Sequence, residues 1–145
     1  MRSILLIDDD MDEFELVLEA VKDIDPEISV YYLNRCEDRE NYREQSFDLV
    51  LLDINMPFHD GFYWLKGIRK NGYDQVPVVM YTNSQSPAHI LKAYAEGANL
   101  YFTKPESFPS LKKGLKKLIH LDWSNPFSIT ERHFQNGKYM PFQFE

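Results

Sequence analysis

The sequence predicts an α/β fold, a doubly wound three-layer sandwich with a parallel sheet between two layers of helices. Three observations predict it. Five short, nearly unbroken apolar runs recur along the chain, as strands buried on both faces require. Stretches with helical periodicity separate them, and the links between are short. Strict alternation of this kind means parallel strands joined by right-handed crossovers.

Ser3–Ile7 reads as the first strand, and Phe14, Val17, Leu18 and Val21 then repeat at helical spacing. Asp10 followed by Glu13 gives that helix a capping-box-like start, with acids at the positive end of its dipole. A second strand is expected over 28–33 and a second helix over 37–45. The third strand, Leu49–Leu52, leads to a helix that opens at Asp60-Gly61 and carries Phe62, Leu65 and Ile68. After a fourth strand over 76–81, Ser86 as N-cap and Pro87 at the first helical position start a helix that ends at Gly97. The fifth strand is Leu100–Thr103, and the fifth helix, about 109–121, carries Leu111, Leu115, Leu118 and Ile119 on one side. Together these elements imply a flavodoxin-like (βα)5 sheet with strand order 2-1-3-4-5.

At 145 residues, 43% hydrophobic and 27% charged, the chain suits one domain with a single core. Its lone cysteine, Cys36, leaves no internal disulfide, and no apolar run approaches the roughly 18 residues of a membrane span. A cytoplasmic protein without membrane attachment is expected. Residues 1–106 hold 10 Lys and Arg against 20 Asp and Glu, whereas residues 107–145 hold 6 against 3. So acidic a body argues against nucleic-acid binding and suits a site that gathers carboxylates around a cation.

Folds of this type bind ligands at the carboxyl ends of their strands. Asp8 and Asp9 end the first strand, Asp53 the third, Thr82 and Asn83 the fourth and Lys104 the fifth. Strands one and three are neighbours in the expected order, so three carboxylates converge and need a cation to remain ionised together. Magnesium suits them, with hard oxygen ligands supplied by Asp8, Asp9 and Asp53 and by the backbone carbonyl of Asn55. A carboxylate beside such an ion can attack phosphorus and form an acyl phosphate. Lys104 adds a second positive charge, and the Thr82 hydroxyl can bond to a phosphoryl oxygen. His59 lies in the loop after Asp53, but His89, His120 and His133 are scattered and assemble no zinc site or catalytic triad.

The segments ILLIDDD, LVLLDINMPFHDG, VPVVMYTNS and LYFTKP resemble the four signature segments of the response-regulator receiver family, over residues 3–120. The resemblance implies Asp8 and Asp9 as the acidic pair for Mg2+, Asp53 as phosphoacceptor, Thr82 as switch hydroxyl and Lys104 as the phosphoryl-binding lysine. It puts Tyr101 at the family's aromatic switch position, turning inward on phosphorylation, and implies a cis Lys104-Pro105 peptide. AYAEGANLYFTKP is most similar to single-domain receivers, including those that serve phytochrome-type kinases. A histidine kinase or histidine phosphotransfer protein is the implied donor, and a protein target is expected on the face of the fourth helix, fifth strand and fifth helix. Lys112, Lys113, Lys116 and Lys117 lie on the polar side of that last helix, as a site for an acidic partner or a solvated face.

The receiver domain is thus expected over 1–121, with 122–145 as an aromatic-rich extension and no output domain. Asn136-Gly137 signals a type I′ hairpin that pairs Phe134 with Tyr139 and His133 with Met140. Six aromatics between Trp123 and Phe144 require cover, from the body or from a second copy in a homodimer. The segment shows no helical periodicity and no basic recognition helix. Two alternatives compete. A small Mg2+-dependent phosphatase with an aspartyl nucleophile would have a second acid where Asn55 stands, and a flavin-binding electron carrier would have hydroxyls and glycines in the acidic loop after Ile7.

Overall fold

The computed structural model describes residues 1–34, 47–70 and 75–144. In chain order these form β1 (Ser3–Ile7), α1 (Met11–Ile24), β2 (Ser29–Leu33), β3 (Leu49–Leu52), α2 (Gly61–Lys70), β4 (Val78–Thr82), α3 (Pro87–Ala95), β5 (Leu100–Thr103) and α4 (Phe108–Ile119). Beyond them lie α5 (Pro126–Arg132), β6 (Phe134–Gln135) and β7 (Lys138–Tyr139). The helix expected over 37–45 lies outside the described residues. The expected fourth and fifth helices are therefore α3 and α4.

The first five strands run parallel in the order β2-β1-β3-β4-β5. Because successive side chains alternate across a strand, the sheet feeds two cores. On one face Ile4, Leu6, Leu49, Leu51, Val79, Tyr81, Leu100 and Phe102 pack under α1 and α4. On the other, Leu5, Ile7, Val50, Leu52, Val78, Met80 and Tyr101 pack under α2 and α3. β3 and β4 are buried throughout, which is why their sequences read as continuous apolar runs.

β4 begins two residues later than expected. Pro77 has no N–H to give, while its carbonyl accepts from Val50 and the Val78 amide turns to the Asn99 side chain. At the start of α1, Asp10 caps by accepting from the Asp12 amide, but Glu13 does not complete a capping box. Its carboxylate turns instead toward Lys104, 3.8 Å away. Among the described residues, no helix is long and apolar enough to cross a membrane.

The segment after residue 121, in which the sequence shows no helical periodicity, contains α5, a short helix capped by Asn125 with Pro126 at its start. Seven residues are too few for a periodic pattern to stand out. β6 and β7 pair antiparallel with Phe134 opposite Tyr139, and Asn136 and Gly137 both have positive φ, as a type I′ turn needs. Ile129 and Phe142 enter the core under α4, where Phe142 meets Phe102 edge-on at 5.6 Å. Residues 122–144 therefore pack on the body.

Candidate functional site

Three of the polar residues at the carboxyl ends of the strands are set by backbone bonds of the sheet. The Asp53 amide donates to Ile7, the Asp8 amide to Leu33 and the Lys104 amide to Thr82. Those bonds hold Asp8, Asp53 and Lys104 along one edge of the sheet, at the ends of β1, β3 and β5. Oxygen atoms of Asp8, Asp9 and Asp53 lie within 4.8 Å of one another. Lys104 Nζ lies 2.9 Å from Asp8 Oδ2 and 3.5 Å from Asp53 Oδ2. Asp8, Asp53 and Thr82 are buried, while Asp9 and Asn55 are exposed at the mouth. Asn55 joins the cluster through its amide, which donates to Asp53 Oδ1 at 3.4 Å. The Thr82 hydroxyl accepts from the Ser84 amide at 3.4 Å.

Glu13 is the member that sequence reading missed. It lies in the first turn of α1, and its carboxylate flanks the pocket and meets the Tyr81 hydroxyl at 3.4 Å. Its place in the first helical turn after the acidic strand end was the available signal. One further expectation is corrected. The Lys104-Pro105 peptide is trans, since the described residues contain no cis bond. Lys104 reaches both carboxylates from the trans form, so the backbone keeps its preferred isomer. Tyr101 is fully buried, and its hydroxyl donates to the Ser84 carbonyl at 2.7 Å.

Three carboxylates around one ammonium, with Asp9 beside them, leave the pocket short of positive charge. Burial disfavours the charge on Lys104, but the Asp8 hydrogen bond and the surrounding carboxylates outweigh it and raise its pKa. Burial likewise raises the Asp8 carboxyl to about 6, against the pull of Lys104. The folded protein thus binds a proton at Asp8 more tightly than the unfolded chain does. Metal-free stability should therefore fall as pH rises from about 4 through 6 and then level off, by about 2–3 kcal/mol. Asp8→Asn should remove that component, so urea unfolding with chelator at pH 7 should find the variant more stable. Equal stability of the two proteins there would contradict this account. The all-oxygen donor set fits a hard divalent cation, and nothing in it favours a soft one.

A doubly wound sheet with an acidic cluster and a lysine at its switch point defines the receiver class of signalling domain. The model of the response regulator receiver domain matches residues 4–116, and the chain belongs to that family. YvcP of Bacillus subtilis, an uncharacterised transcriptional regulatory protein, is 33% identical over 78 residues. That match takes in 54% of this chain and 32% of YvcP, so the chain spans about a third of that relative's length. Among solved structures, the phosphorylated cyanobacterial phytochrome response regulator RcpA is 25% identical with a TM-score of 0.73, over 81% of this chain and 90% of RcpA. The Mn2+-bound response regulator Rcp1 is 25% identical with a TM-score of 0.69, over 86% of this chain and 96% of Rcp1.

Proposed function

We propose that this receiver domain of a two-component system accepts a phosphoryl group on Asp53, with Mg2+ held by Asp8, Asp9, Asp53 and the Asn55 carbonyl. The observation that carries the reading is the reach of Lys104 to Asp53 within a cluster of three carboxylates. A bound Mg2+ supplies charge neutralisation for the transferring phosphoryl oxygens. An Asp53 oxygen attacks the phosphorus of a phosphohistidine, the P–N bond breaks and the imidazole nitrogen leaves with the bonding pair. Lys104 pairs with the phosphoryl oxygens, and the Thr82 hydroxyl donates to one of them. Glu13, 3.8 Å from Lys104, helps to hold the ammonium in position.

The donor is a histidine kinase or phosphotransfer protein, and the result is a change in a protein contact rather than turnover of a separate substrate. Nucleic acid is not a partner of so acidic a body. A cytoplasmic location is part of the same reading.

Incubation with acetyl phosphate and Mg2+ tests the reading. We expect one base-labile acyl phosphate per chain, lost in Asp53→Asn and when the metal is chelated. Continuous hydrolysis of the donor would favour the phosphatase reading, and undiminished labelling of Asp53→Asn would overturn the assignment.

A further inference from the structure

The face formed by α3, β5 and α4, which the sequence offers to a protein target, is covered by the chain's own residues 139–144. Tyr139 stacks on Tyr94 of α3 at 4.8 Å, and the Tyr94 hydroxyl donates to the Met140 carbonyl at 2.8 Å. The Phe142 amide donates to the Tyr101 carbonyl of β5 at 2.7 Å. Phe144 meets the Phe102 ring at 5.4 Å, and Lys117 of α4 donates to the Phe144 carbonyl at 2.6 Å. All three elements of the face thus hold the segment. The hydrogen bonds and ring stacks are individually modest, and the burial of Phe142 is the largest contact to undo, so lifting the segment is a local opening that leaves the five-stranded body folded.

The same contacts run back to the pocket through two residues. Ser84 donates its amide to the Thr82 hydroxyl, accepts the Tyr101 hydroxyl on its carbonyl, and pairs its own hydroxyl with His89 Nδ1 of α3 at 2.6 Å. Tyr94 accepts the Tyr101 amide at 3.2 Å on the hydroxyl that also holds Met140. A shift of the Thr82–Ser84 turn therefore moves the start of α3, and with it the ring on which Tyr139 rests.

We infer that residues 139–144 are a displaceable strap that closes the α3–β5–α4 face in the unphosphorylated protein, and that loading Asp53 loosens it. This rests on the phosphoacceptor reading. When the Thr82 hydroxyl turns to a phosphoryl oxygen, its geometry with the Ser84 amide changes, and the turn and α3 leave the arrangement that fits the strap.

Beryllium fluoride with Mg2+ serves as the phosphoryl mimic, with bound fluoride read by 19F NMR and strap docking read by amide exchange at Phe142. On loading, Phe142 should exchange about tenfold faster. Tyr94→Phe, which drops the bonds to Met140 and from the Tyr101 amide and keeps the ring stack, should speed Phe142 exchange by a similar factor without loading. Its 19F signal should match the wild type. Bound fluoride with unchanged or slower Phe142 exchange overturns the strap and leaves the phosphoacceptor reading standing. No bound fluoride overturns both. Unchanged exchange in Tyr94→Phe overturns the route through α3.

Discussion

Gly61→Ala is expected to destabilise the protein by about 3 kcal/mol or more and to weaken divalent-cation binding together with stability. A Cβ built on Gly61 would sit 2.3 Å from the Asp53 carbonyl oxygen and 2.8 Å from Ile54 Cα. Both are backbone atoms, so no rotamer change relieves the overlap, and the expected effect reaches the upper end of overpacking. The Gly61 amide also donates to the Ile54 carbonyl at 2.9 Å, so the first turn of α2 and the Asp53 loop have to separate as one movement. Urea unfolding and calorimetric Mg2+ titration would measure the two effects. A variant with wild-type stability and wild-type Mg2+ affinity would show that α2 does not press on the loop.

The second large effect is expected far from the pocket. Phe142→Ala should lower stability by about 3 kcal/mol, the low end for a buried phenylalanine, because Phe142 lies at the rim of its core and keeps 8% of its surface exposed. For a domain of this size that is a fall of about 10 °C in melting temperature. Phe134 is half exposed, and Phe134→Ala should shift the melting temperature far less. Equal shifts for the two variants would mean that hairpin aromatics, rather than the contact of Phe142 with Phe102, hold residues 122–144.

The sheet was legible because burial on both faces leaves little choice of residue: LVLL and VVMYT have no polar residue before their ends. The convergence of Asp8, Asp53, Thr82 and Lys104 at adjoining strand ends followed from topology, since parallel strands in this order bring those ends together. Contacts that depend on a side chain's direction were less legible. Glu13 fits a capping box as well as a pocket, and only the position of Lys104 decides between them. The inward Tyr101 depends on an acceptor at Ser84, which lies 17 residues away in sequence. The isomer of Lys104-Pro105 rests on a small energy difference that local sequence does not determine. In the C-terminal segment the hairpin was written into Asn136-Gly137, whereas its seat on Tyr94, Tyr101 and Phe102 is tertiary and leaves no local trace.

The bond from the Phe142 amide to the Tyr101 carbonyl has one more consequence, for solubility. β5 is the outermost strand on its side of the sheet, and an open border strand is a template on which other chains can polymerise. Phe142 occupies one of its acceptors and roofs the aromatic row beside it, with Pro141 next to it contributing no N–H donor of its own. The last residues of the domain thereby act as a guard against fibril-like self-association.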